Sequence, residues 1–475
     1  MNASKNELAL LQEMIAHMSA GFGRLPGAAA DESLSEFAPI LMEVADKLQN
    51  NDPYFHPLYA GQMLKPPHPV ARLAYCLSMY VNPNNHAFEG GKATTEMETE
   101  CVAQLAAMVG WRDHLGHLCS GGTIGNLEAL WVAGKVSGGR KIVASSLAHY
   151  THQRCCELLK LPFGEVAVDT RGRMSLKSLE EALADGTVGT VVVTLGTTAC
   201  GSVDPLDEIL ELRKTYAFRI HVDAAYGGYF SLVDNLSPSV QRAFASLSSV
   251  DSIVIDPHKH GLQPYGCGCV LFRDAAVAAY YRHGSPYTYF DPTKLHPGEI
   301  SFECSRPGSS AAALWATQKY YPLVRGGKFA RGLAAGRRAA LGLYERLKSD
   351  RRFVVCFPPD LDIIFWMPRR DTASATSAAT QALFDIAAEN DLYLALVHMP
   401  RELVEPHAGD MNWDQPSVLC LRSCLMKAAH DDWQEAIWAA LDAAACNLEK
   451  RLGRDRADAD RRCFGRLRVP ERKKV

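Results

Sequence analysis

The feature that most constrains this chain is a rhythm in its middle. Five runs, KIVASS (141–146), TVVVTLG (190–196), FRIHVD (218–223), DSIVID (251–256) and GCVLF (268–272), are rich in Val and Ile. Most of their positions are apolar, the pattern of strands covered on both faces. Between most of them lie amphipathic stretches, beginning near Thr123, Thr151, Leu206 and Val240, each long enough for a crossover helix. The spacing predicts an α/β fold with a large, doubly wound, mostly parallel sheet. Ligands of such a sheet gather at the carboxyl ends of its strands, where Ser145, Thr197, Asp223 and Asp256 fall.

A chain of 475 residues has room for more than that sheet. Residues 328–348 carry Ala, Leu and Arg at helical spacing and lead into FVVCF and DIIFWMP, which flank Pro358-Pro359. A helix near 374–390, strands near 392–398 and 417–422, and a closing helix near 431–449 complete a smaller C-terminal α+β domain. The expected division is an N-terminal arm (1–60), a large domain (61–322), a small domain (323–450) and a basic, mobile tail (451–475). That last segment holds ten Lys/Arg against four Asp/Glu.

Composition removes several function classes. A formal net charge of −3 provides no field for nucleic acid or anionic membrane, and no apolar run approaches the ~20 residues that span a bilayer. The start, MNASKNELALLQEM, lacks a signal peptide's unbroken apolar stretch, so a cytoplasmic location is expected. The 14 cysteines are scattered through the chain and read as free thiols. His114, His117 and Cys119 form the densest ligand-type cluster, but no second motif completes a metal site, and a structural role is expected.

Four segments carry chemistry. Asp256-Pro-His258-Lys259-His260 follows a buried strand and precedes a glycine-rich stretch, which places Lys259 at the sheet's carboxyl edge. A lysine that is partly desolvated there can form a Schiff base, although alone it reads equally as a solvated loop residue. Asp223-Ala224-Ala225 ends another strand. A carboxylate with a lysine suits a pyridine-based cofactor, the first keeping the ring nitrogen protonated and the second carrying the aldehyde as an imine. Alone, Asp223 reads as a helix cap. Ser120-Gly121-Gly122-Thr123 opens a helix whose free N–H groups and dipole suit a phosphate, or simply cap it. His149 follows the strand at 141–146 and suits a ring face, or a satisfied interior.

Taken in this order and spacing, the four segments resemble the group II pyridoxal-phosphate-dependent amino acid decarboxylases of fold type I, which include glutamate, aromatic amino acid, histidine and cysteine sulfinate decarboxylases. The resemblance runs from about Asn51 to Leu448. It implies that Lys259 is the Schiff-base lysine, that Asp223 pairs with the pyridinium nitrogen, and that His149 and Ala225 cover the two ring faces. It implies that Gly122, Thr123, His258 and Thr198 contact the cofactor, and that Ser309, in Ser305-Arg306-Pro307-Gly308-Ser309, reaches the cofactor phosphate of a second subunit in a homodimer. It also implies a loop tyrosine as proton donor, for which Tyr289 is preferred to Tyr287. Arg422 and Gln62 match family positions that meet the substrate. Two features depart from the better-known members: His260 stands where many have Trp, and the segment 280–297 is unlike the aromatic-type loop.

The function this implies is decarboxylation of an L-amino acid to its amine and CO₂, with pyridoxal 5′-phosphate as cofactor. Gln62 tilts the substrate toward a polar or acidic amino acid. Oxidative decarboxylation to an aldehyde, carbon–carbon cleavage and transamination are the rival chemistries on the same fold. A catalytically silent scaffold is the rival of a different class, and the intact Lys259, Asp223 and His149 argue against it.

Overall fold

The computed structural model describes residues 5–25, 34–282 and 296–464. Its larger sheet has seven strands: β1 (Leu115–Cys119), β2 (Lys141–Ser145), β3 (Phe163–Val166), β4 (Val188–Thr194), β5 (Arg219–Asp223), β6 (Ser252–Ile255) and β7 (Gly268–Phe272). They lie in the order β1-β7-β6-β5-β4-β2-β3. The pairs β6–β5, β5–β4, β4–β2 and β2–β3 are parallel, and β7 runs antiparallel to both of its neighbours. Every residue of β4 is buried, as its Val-rich run requires with helices on both faces. The crossover helices Gly122–Ser137, Thr151–Leu159, Leu206–Leu212 and Pro238–Ala245 begin at or within two residues of the expected starts.

Two strands of this sheet are absent from the sequence reading. β1 holds the cluster considered for metal binding, but His117 is fully buried and its Nε2 lies 2.9 Å from Glu128 Oε2, so pairing admits a polar residue to the sheet. Among the described residues no group of His, Cys, Asp or Glu is arranged to hold a metal ion. β3, FGEV, is a short edge strand with a single β-branched residue and gives little pattern to read.

A second sheet, antiparallel throughout, contains β8 (Phe353–Val355), β9 (Ile363–Pro368), β10 (Ala395–Pro400) and β11 (Ser417–Cys424) in the order β10-β11-β9-β8. Helices Lys328–Ser349, Ala373–Glu389 and Gln434–Phe464 pack on it around Trp366, Leu383, Leu421 and Leu441. The closing helix corrects the sequence reading. It continues through Phe464 where an end near 449 was expected, and 465–475 lie outside the described residues. At the other end, helices Lys5–Ala20 and Leu34–Leu48 precede the large sheet; the second has no buried residue and exposes Ile40, Leu41, Met42 and Val44. Among the described residues no helix is long and apolar enough to cross a membrane.

Candidate active site

The carboxyl ends of β2, β4, β5 and β6 open onto a cavity of about 470 Å³. Gly122, Thr123, His149, Thr198, Asp223, Ala225, His258 and Lys259 all line it. Parallel strands bring this about by ending side by side, so that residues far apart in sequence share one rim.

Asp223 is the last residue of β5 and is 6% exposed. Its Oδ2 accepts from His152 Nε2 at 3.0 Å and from Asn126 Nδ2 at 3.3 Å, and its Oδ1 accepts from the Ala225 backbone N–H at 3.1 Å. Burial works against its charge, but the His152 hydrogen bond and the nearby Lys259 ammonium outweigh it and hold the carboxyl well below the usual carboxylate range. Behind it, Asn126 Oδ1 lies 2.8 Å from His221 Nε2, and His221 Nδ1 lies 2.9 Å from Ser252 Oγ. Burial pushes His221 down to about 3, so this imidazole is neutral and fixes the Asn126 amide without competing for the carboxylate.

Lys259 sits in the turn that follows β6, where its N–H donates to Asp256 O at 2.9 Å. Its Nζ lies 3.2 Å from Asp256 Oδ2, and the side chain keeps 24% of its surface exposed to the cavity. His258 Nε2 approaches the same oxygen at 3.5 Å. Asp256 is buried, and its second oxygen has no hydrogen-bond partner among the described residues. Gly122 faces this carboxylate across the cavity floor. A Cβ at that position would come within 2.8 Å of Asp256 Oδ2 and 3.2 Å of Ala225, so the helix Gly122–Ser137 can start this close to β5 and β6 only with glycine there.

His149 precedes helix Thr151–Leu159 and accepts from the Thr151 N–H at 3.2 Å, with its ring stacked on Tyr150 at 4.4 Å. Burial lowers its pKa, which favours a neutral ring at the cavity wall. Arg422, on β11, is 6% exposed and does not line the cavity. Its Nη1 donates to the Thr198 carbonyl at 2.9 Å, and its Nη2 donates to Gln62 Oε1 at 2.5 Å. The structure therefore joins the two residues assigned to substrate to each other and to one residue of the rim. Ser309 is buried at the start of helix Gly308–Tyr320 and lies apart from this cavity. Tyr287 and Tyr289 lie outside the described residues.

Sequence reasoning missed His152 and Asn126 as functional side chains, and placed Asp256 at a strand end without giving it a role. The signal for the first two was helical spacing: His152 lies three residues beyond His149, and Asn126 four beyond Gly122, each one turn deeper on an inward face. Asp256 lay inside the Lys259 motif, but only the turn geometry shows that its carboxylate faces Nζ.

Comparison with known proteins agrees with this geometry. Residues 128–367 match the model of the pyridoxal-dependent decarboxylase conserved domain. A Methanothermobacter thermautotrophicus protein named "Probable L-tyrosine/L-aspartate decarboxylase" is 32% identical over 308 residues, 64% of this chain and 81% of that protein. The L-aspartate decarboxylase of Thermococcus kodakarensis is 29% identical over 289 residues, 59% of this chain and 72% of that one. Among solved structures, Oryza sativa TDC with PLP and tryptamine superposes with a TM-score of 0.75 at 17% identity, covering 94% of this chain and 99% of that one. This chain belongs to the pyridoxal-dependent decarboxylase family, and its cofactor is pyridoxal phosphate.

Proposed function

We propose that the cavity beneath Lys259 binds pyridoxal phosphate and that the protein decarboxylates an L-amino acid with a polar or acidic side chain. The observation that carries this reading is the pairing of a fixed carboxylate, Asp223, with a cavity-facing amine, Lys259, on one rim. The residues present fit the cofactor. An amine faces the cavity for its aldehyde, a carboxylate with three hydrogen-bond donors is there for its ring nitrogen, and a helix N-terminus with glycine at its first turn suits its phosphate.

When bound, pyridoxal phosphate takes up the electron pair released as the substrate's α-carboxylate leaves as CO₂. Lys259, whose amine faces the cavity, would hold the cofactor by its aldehyde. Asp223 would hold the proton on the ring nitrogen, and the donors around it keep it ionised when it is desolvated. His149 and Ala225 would cover the two ring faces, and the amides at Gly122 and Thr123 would receive the phosphate together with His258. Thr198 stands on the same rim. Asp256 orients the Lys259 amine from below. Tyr289 returns a proton to the substrate's α-carbon.

Arg422 supports the substrate class. Its guanidinium is buried, its Nε has no hydrogen-bond partner among the described residues, and it is held by Gln62 against the Thr198 carbonyl of the rim. A fixed guanidinium suits a carboxylate. The names of the relatives, which include L-aspartate and L-tyrosine, agree with a polar substrate. Incubating the protein with each common L-amino acid and measuring amine and CO₂ tests the reading; turnover confined to apolar substrates, or none, overturns it.

The same reading includes a homodimer in the cytoplasm. Helix Leu34–Leu48 presents Ile40, Leu41, Met42 and Val44 to solvent with no residue buried, a face that a second subunit would cover. Ser309 would then serve the partner's phosphate. The free thiols among the described cysteines suit a reducing compartment.

A further inference from the structure

His260, which directly follows the lysine, is completely buried. Its Nε2 lies 3.4 Å from Asp362 Oδ2, just before β9 in the small domain. The other oxygen of Asp362 accepts from the Tyr226 hydroxyl at 2.7 Å. Tyr226 lies three residues after Asp223 and directly after Ala225, and His260 directly follows Lys259. A single carboxylate of the small domain thus touches both chain segments that carry the cofactor-handling residues.

The polarity of this cluster is determined by its members. Lys65 Nζ lies 3.5 Å from His260 Nδ1 and donates to the Met426 carbonyl at 3.3 Å. An ammonium has only donors, so Nδ1 must offer its lone pair and the imidazole proton sits on Nε2, facing Asp362. Burial, with the charges of Lys65 and Lys259, keeps His260 well below its ordinary range and therefore neutral. Burial also raises the Asp362 carboxyl and lowers the Lys65 ammonium, while their mutual attraction opposes both shifts. Neither Asp362 Oδ2 nor His260 Nε2 has a hydrogen-bond partner among the described residues, so their 3.4 Å approach is a close polar contact rather than a formed hydrogen bond. The ring of His260 meets Tyr226 edge-on at 4.5 Å and Phe230 at 5.1 Å, which blocks a rotation away from the carboxylate.

We propose that Asp362 is a positioning residue that clamps the Tyr226 and His260 segments together, and so fixes Asp223 and Lys259 relative to each other in the cofactor site. A buried carboxylate that loses its charge weakens both contacts at once, because each is a hydrogen bond or close polar contact to the same group. The clamp rests on the reading of Lys259 and Asp223 given above.

The test compares Asp362→Asn with Asp360→Asn in the full-length holoenzyme. Asp360 is also buried and also joins the domains, through Arg171, Arg173 and the Val203 N–H, but it contacts neither Tyr226 nor His260. Three quantities are read: the rate at which bound pyridoxal phosphate is lost on dilution, followed by its visible absorbance; hydrogen exchange at 224–228 and 258–262; and the melting temperature. Asp362→Asn is expected to lose cofactor about fivefold faster or more, and to exchange faster in both segments. Asp360→Asn lowers the melting temperature and leaves the other two unchanged. Tyr226→Phe removes one arm of the clamp and shifts cofactor loss in the same direction by less, which keeps the test open should Asp362→Asn not fold. Wild-type cofactor loss and exchange in Asp362→Asn, or equal changes in Asp360→Asn, overturn the clamp while borohydride still attaches the cofactor to Lys259. Attachment at another lysine overturns instead the reading on which the clamp rests.

Discussion

His152 Nε2 stands 3.0 Å from Asp223 Oδ2, and the imidazole is completely buried. This contact sets the side-chain angle of the carboxylate and helps keep it ionised where burial alone would neutralise it. Supporting hydrogen bonds of this kind hold a functional group in one orientation, and losing them typically costs 10–100-fold in function.

His152→Gln is therefore expected to lower kcat by about 10–100-fold with little change in KM. Steady-state kinetics on the best substrate checks it. A variant with normal kcat and a raised KM would assign His152 to substrate binding instead.

Asp223→Asn should do more damage. Its charge matters most while electrons flow into the ring, so kcat is expected to fall by about 10²-fold or more, as when a single donor to developing charge is removed. Near-normal turnover in this variant counts against the assignment of Asp223 to the ring nitrogen.

Arg422→Lys tests the substrate class. An ammonium cannot span both Thr198 O and Gln62 Oε1 as the guanidinium does, at 2.9 and 2.5 Å. For L-aspartate and L-glutamate, kcat/KM is expected to drop at least about tenfold, the scale of one hydrogen bond to a charged group. An equal drop for every substrate would show that Arg422 only braces the rim.

His430, between β11 and helix Gln434–Phe464, gives a pH signature. It is buried, accepts from the Lys427 N–H at 3.2 Å and lies 3.3 Å from Tyr59 O; burial, with Lys427 nearby, pushes its pKa from 6.5 down to about 3. Between those values the unfolded chain binds a proton that the folded chain refuses, so this group's stability is lost as pH falls from 6.5 toward 3. The stability of the wild type relative to His430→Gln should fall by roughly 1.4 kcal/mol per pH unit in that window. Urea denaturation of both proteins at pH 7.5, 6 and 5 reads the difference; a pH-independent difference contradicts a neutral buried imidazole.

The legibility of this molecule followed the physics of each part. β4 was evident because a strand buried on both faces reads as a β-branched, Val-rich run. β1 was hidden because the buried pair His117–Glu128 places a polar residue where the pattern asks for an apolar one. The end of helix Gln434–Phe464 was placed too early because charges crowd its last turns, and charge alone does not mark where a helix stops. In the site, Asp223, Lys259 and His149 stood out by type and order. His152 and Asn126 act through helical turns, and Asp362 reaches His260 across 102 residues, a contact that no local pattern encodes.

The central claim is that Lys259 carries the cofactor in the cavity where Asp223 is held. Borohydride reduction of the purified protein, followed by proteolysis and mass spectrometry, tests it most directly. The account predicts a pyridoxyl group on the peptide containing Lys259, loss of the visible absorbance band on reduction, and no such band in Lys259→Ala. A pyridoxyl group on a different lysine, or a Lys259→Ala protein that keeps the band, would contradict it.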